Sequence, residues 1–86
     1  MEAMSLRRAV RLCKTYRKGS VYLPGSFYRL LGNYHVGTPR ETIEALADRW
    51  GAKLDSETRA ALRVVVLSVW DARIVRTYQR VVGGRF

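Results

Sequence analysis

Apolar residues recur at intervals of three and four along much of this chain, the spacing that gathers side chains on one face of a helix. From Leu6 to Tyr16 they are Leu6, Ala9, Val10, Cys13 and Tyr16. Ser5 stands where an N-cap belongs, and Gly19-Ser20 where such a helix stops. Arg7, Arg11, Lys14 and Lys18 repeat at the same spacing on the other side, flanked by Arg8 and Arg17. The pattern predicts a helix over about 6–17, apolar on one side and cationic on the other.

Pro24-Gly25 signals a turn, Ser26 is a candidate cap and Gly32 a candidate stop, which predicts a short helix over 26–31 between two loops. The segment holds Tyr22, Phe27, Tyr28, Tyr34 and the single histidine, His35, with Arg29 among them. Thr38-Pro39-Arg40-Glu41 then reads as a helix start: Thr38 caps, Pro39 takes the first helical position and Glu41 closes a capping box. A helix over 39–50 follows, with Ile43, Leu46, Ala47 and Trp50 inward, Glu41, Glu44 and Asp48 outward, and Gly51 at the stop.

A last helix, capped by Asp55 or Ser56, is predicted to span 56–82 before Gly83-Gly84, about 40 Å of helix. Val64-Val65-Val66 would suit a strand, but helical periodicity continues past it. The projection puts Ala60, Ala61, Val64, Leu67, Ile74, Val75, Tyr78 and Val82 on one side and Arg59, Arg63, Arg73, Arg76 and Arg80 on the other. Asp71 falls among the apolar residues, which predicts a partner, Arg or Tyr. Val66 and Trp70 fall among the arginines, so the middle of the helix is apolar all round and must be covered, by other helices or by a second subunit. The expected fold is all-α, one domain over 1–86: a small bundle of three main helices and a short one, with the long C-terminal helix as spine.

At 86 residues only a thin core is expected, although 48% of residues are hydrophobic, enough to fold without staples. Cys13 is the one cysteine, so no internal disulfide can form and a reducing, cytoplasmic setting is expected. No cluster of Cys or His has metal-ligand spacing, and no cofactor is implied. The run Val64 to Trp70 is far short of the about 20 residues of a membrane span. The opening Ser5 to Lys18 is Arg-rich and nearly acid-free, as transit peptides are, and is expected to be a retained part of the working protein.

Charge changes the picture most. Of the formal net charge of +9, residues 1–40 carry six Arg and two Lys against Glu2 alone, a net +7, while residues 41–86 carry a net +2. Such a one-sided field favours anionic partners. The absence of a nucleophile, base and orienting group in any plausible set excludes nucleophilic catalysis, and Cys13 on the apolar face reads as an inert core thiol.

The stretch Ile43 to Leu54 resembles the opening of a helix-turn-helix: Ala47 stands four residues before Gly51, Leu46 and Trp50 point inward, and a new helix starts near Asp55. The resemblance covers about a quarter of the chain and departs at Glu57, where the second helix should bury an aliphatic residue. It implies a recognition helix that would begin with Asp55 and Glu57, acids poorly placed near phosphates.

Two functions are expected. In the first, a non-enzymatic protein binds RNA or DNA, with phosphates on Arg7, Arg8, Arg11, Lys14, Arg17, Lys18 and Arg29, and bases or sugars on Tyr22, Tyr34 and His35. In the second, a small protein-binding factor, an inhibitor of the phage type or an accessory subunit, docks on an acidic partner through Val66, Trp70, Arg73 and Arg76. The apolar surface around Val66 and Trp70 further predicts a homodimer or a subunit of a complex.

Overall fold

The computed structural model describes residues 4–16 and 23–81. Four helices follow one another: α1 (Leu6–Thr15), α2 (Pro24–Leu31), α3 (Arg40–Trp50) and α4 (Ser56–Val81). No strand occurs among the described residues. α1, α2 and α3 each pack on α4, which is the spine.

The helix ends refine the expected boundaries. Ser5 caps α1, its hydroxyl oxygen accepting from the Arg8 backbone N–H at 3.2 Å, and the helix closes at Thr15, with Tyr16 extended. Arg17 and Lys18, Gly19-Ser20, Tyr22 and Gly83-Gly84 lie outside the described residues. α2 begins two residues earlier than expected, because Pro24 occupies the first turn, where its missing N–H costs nothing; Ser26 is therefore inside the helix. The capping box at α3 does not form. Pro39 itself is the N-cap, with ψ at 142°, and no side chain caps the helix. Thr38 is instead held in the preceding turn, its N–H donating to the His35 carbonyl at 2.9 Å.

α3 and α4 form an antiparallel hairpin. Arg40 at the start of α3 pairs with Asp71, Glu44 with Arg63, and Gly51 at the end of α3 accepts from Arg59. The helices therefore lie side by side along the whole of α3. Gly51 is needed at the corner for space: an added Cβ would meet Leu62 Cδ2 at 3.1 Å and the Ala47 carbonyl oxygen at 3.3 Å.

The core is built on two adjacent ridges of α4, Ala61-Val65-Val69 and Leu62-Val66-Trp70, against Ala9 and Cys13, Phe27 and Leu31, and Ile43, Leu46 and Ala47. Apart from Ala61, which the projection placed correctly, these ridges lie away from the side the projection favoured. Ala60, Ile74, Val75 and Tyr78 are exposed, and Val64 and Leu67 are half-buried. The sequence average was misled by the last three turns of α4, where apolar residues face outward beyond the reach of the other helices. Asp71, on that same outward side, is therefore a surface residue; it does have the expected arginine partner, Arg40.

The arginine side of α4 is thus the core side, and two arginines at the ends of the buried ridges close the structure. Arg59 donates to the carbonyls of Gly51, Ala52 and Leu54 at 3.1–3.3 Å, tying down the loop between α3 and α4. Arg73 donates to the carbonyls of Leu31 and Tyr34 at 2.7 and 2.6 Å, satisfying the end of α2.

Candidate nucleic-acid interface

α1 meets the core through small side chains. Ala9 and Cys13 are buried, and their size lets the helix approach α4 closely. Burial pushes the Cys13 thiol above its ordinary pKa by desolvation, in keeping with a core thiol. Of the two others expected inward, Leu6 is 47% exposed, while Val10 is half-buried and packs against the edge of the core.

The opposite side of α1 carries Arg7, Arg11 and Lys14, all exposed. Together with Leu6, Val10 and Thr15 they line an open hollow of about 590 Å³. The Thr15 hydroxyl is turned back onto the helix, donating to the Arg11 carbonyl at 3.0 Å. Arg8, one residue round from the hollow, is not part of it and pairs with Glu57 at 2.9 Å.

Charge compensation is distributed so that this face keeps its cations. Glu44 and Asp48 are held by Arg63 at 2.7 and 4.0 Å, Glu44 also by Arg40 at 3.8 Å, Asp71 by Arg40 and Glu57 by Arg8. Glu44 and Asp48 on the acidic side of α3 are therefore compensated from α4 and from within α3, not from α1. Arg7, Arg11 and Lys14 have no acidic partner among the described residues. A helix with three uncompensated cations along about 10 Å can hold a row of anionic groups.

The other expected contacts are less assembled. Arg29 is exposed on α2 without an acidic partner among the described residues. Phe27 is fully buried and stacks on Trp50 at 5.9 Å between centroids. Tyr28 is half-buried with the Arg76 guanidinium 5.4 Å from its ring centre. Tyr34 is half-buried and its carbonyl is bound by Arg73. His35 is exposed, but its Nδ1 accepts the Gly37 backbone N–H at 2.9 Å, so in the neutral ring the proton sits on Nε2. Of the three residues expected to stack on bases, the described structure leaves His35 with its ring exposed.

The expected protein-docking anchors are displaced more completely. Trp70 is 1% exposed and Val66 fully buried, both covered by this chain's own helices. Their apolar surface therefore gives no reason for a second copy. Arg73, half-buried with its guanidinium over the Trp70 ring, is occupied with α2. Arg76 alone of the four is exposed.

Among the described residues no helix is long and apolar enough to cross a membrane, and no group of three or more His, Cys, Asp or Glu is placed to hold a metal ion. Compared with protein-family models, curated proteins and solved structures, the chain matches none. Its function is therefore argued from the surface itself.

Proposed function

We propose that the protein is a non-enzymatic nucleic-acid-binding module whose contact surface is the outer face of α1. The observation that carries this reading is the placement of Arg7, Arg11 and Lys14 around one open hollow, with no acidic partner among the described residues, while Glu44, Asp48, Glu57 and Asp71 are engaged by other arginines. Cations left uncompensated in a folded protein set up a local field that phosphates satisfy, and each phosphate neutralised releases counterions. Arg29 and His35 extend the set of available contacts.

The test is titration of labelled RNA and DNA at several salt concentrations. The double variant Arg11→Gln, Lys14→Gln should bind every sequence more weakly and flatten the slope of log affinity against log salt by about one to two units. Unchanged affinity and slope would overturn the reading.

A second reading, docking on an acidic protein, is favoured by a different surface from the one the sequence suggested. Ile74, Val75 and Tyr78 are exposed on α4, and Ile74, Thr77 and Tyr78 form with Val36 a hollow of about 250 Å³. Arg76 and Arg80 are exposed along the same stretch of helix. Under that reading Val75→Ser with Tyr78→Ser abolishes partner binding and leaves nucleic-acid affinity untouched.

A further inference from the structure

Leu6 and Val10 make the α1 face a surface of two kinds. At about 100° per residue, Leu6, Val10, Lys14, Arg7 and Arg11 follow one another round one continuous arc of α1. The apolar edge of the arc adjoins the buried Ala9 and Cys13; the cationic edge lies away from them. All five side chains line the same hollow. An aliphatic strip beside a row of cations matches a ligand whose apolar faces and negative charges are both accessible and lie side by side.

That requirement separates the two forms of nucleic acid. In a duplex the base faces are stacked inside, and a helix meets only phosphates, sugars and groove edges. Leu6 and Val10 would then stay wet or face phosphates, neither of which is favourable. A single strand presents unstacked bases next to its phosphates, and proteins that bind it set apolar or aromatic platforms beside a basic track. Resting on the reading of α1 as a nucleic-acid surface, we infer that its ligand is single-stranded. Phosphates lie against Arg7, Arg11 and Lys14, and a base or sugar covers Leu6 and Val10. Aliphatic side chains offer no hydrogen-bond pattern, so binding is tolerant of sequence.

Other occupants fit the same face less well. For an anionic bilayer the apolar content is small: among the described residues it is two aliphatic side chains, with no Trp or Phe to sit in the lipid interface. A second copy docking by the same face would bring Arg7, Arg11 and Lys14 against their own equivalents.

The experiment compares a short labelled oligothymidylate, an oligoadenylate and a duplex of the same length, by anisotropy at low salt. Leu6→Asn and Val10→Thr serve as variants, and circular dichroism verifies that the helices persist. Leu6 is exposed and Thr is nearly the shape of Val, so the core is left in place. The expected result is that the wild type prefers both single strands to the duplex and that each variant loses about tenfold on single strands with duplex affinity unchanged. Equal wild-type affinity for strand and duplex, or parallel losses on both, would overturn the inference while leaving α1 a phosphate-binding surface. Unchanged binding of every probe by Arg11→Gln, Lys14→Gln would instead overturn the reading beneath it. Anionic phosphatidylglycerol vesicles that bind through Leu6 and leave oligonucleotide affinity unaltered in Leu6→Asn would reassign the hollow to lipid.

Discussion

The guanidinium of Arg73 stands 5.1 Å from the centre of the Trp70 ring while one of its nitrogens, Nη1, donates to two carbonyls at the end of α2. The sequence placed both residues on a docking surface, and the structure makes them one internal joint. Trp70 fills the core between the helices; Arg73 closes the joint by covering the ring and binding the last carbonyl of α2 and that of Tyr34 in the loop beyond it.

Arg73→Ala therefore removes the guanidinium donor from the Tyr34 carbonyl, leaves the Leu31 carbonyl with the Tyr34 backbone N–H alone, and uncovers the edge of the core. The expected cost is about 2–3 kcal/mol, read by urea denaturation followed through Trp fluorescence. Arg73→Lys recovers only part of it, because an ammonium that reaches the two carbonyls lacks the flat guanidinium that covers the Trp70 ring. Stability within about 0.5 kcal/mol of the wild type for Arg73→Ala would show that the joint is not closed from this side.

Asp71 leads to the opposite expectation. A carboxylate among apolar neighbours would be costly to disturb, and the sequence projection implied a loss of roughly 1–3 kcal/mol on removal. The Asp71 and Arg40 side chains are 52% and 50% exposed, and an ion pair in that setting contributes about 0–1 kcal/mol. Asp71→Ala should lower stability by less than about 1 kcal/mol, with the difference shrinking in molar salt as the pair is screened.

These two residues show what the sequence made legible and what it did not. The four helices, their order and the role of α4 as spine follow from periodicity, Gly51 and Ser5, and Val66 and Trp70 were correctly read as needing cover. The rotation of α4 was not legible. A long helix that is buried in its first two-thirds and exposed in its last third carries two apolar faces, and averaging them hides the buried one. Ile74, Val75 and Tyr78 pulled the average outward and carried Asp71 with them. Arginine added to the error, since Arg59 and Arg73 sit on the core side with their stems packed and their heads on backbone carbonyls. At α1, Leu6 and Val10 were assigned inward because apolarity was equated with burial. Ala9 and Cys13 are the buried pair, and nothing in the spacing says that Leu6 is exposed and Val10 only half-buried at the edge of the core.

Cys13 offers a probe of the α1 packing. The thiol is buried and its pKa is raised by desolvation, so little thiolate is present or reachable at pH 8. Ellman's reagent should react with it only as fast as the protein opens, and promptly in denaturant. The sign of the pH effect follows: a raised folded pKa stabilises the fold fully below the ordinary thiol value, and the contribution is lost as pH rises through the folded value. Between pH 7 and pH 10 the wild type should therefore lose more stability than Cys13→Ala does. Rapid modification of the native protein would place α1 off the core.

The sharpest test of the functional reading separates the local arrangement of cations from total charge. Arg11→Gln, Lys14→Gln and Arg40→Gln, Arg63→Gln remove the same two positive charges from a protein of net charge +9. If polyanions respond only to net charge, both double variants weaken binding equally and flatten the salt slope alike. The structure distinguishes them. Arg40 and Arg63 are already engaged with Asp71, Glu44 and Asp48, on the α3–α4 side, whereas Arg11 and Lys14 face the hollow of α1 with no acidic partner among the described residues. Phosphates neutralised by Arg11 and Lys14 contribute about 0.7 each to the slope on a single strand, so the α1 variant should lose up to about 1.4 units and the other much less. Because Arg40→Gln and Arg63→Gln also disturb the α3–α4 hairpin, the comparison is made below the melting temperature of both variants, at matched helical content. Equal losses would mean that the protein attracts polyanions by its overall field alone, and that α1 has no special part in it.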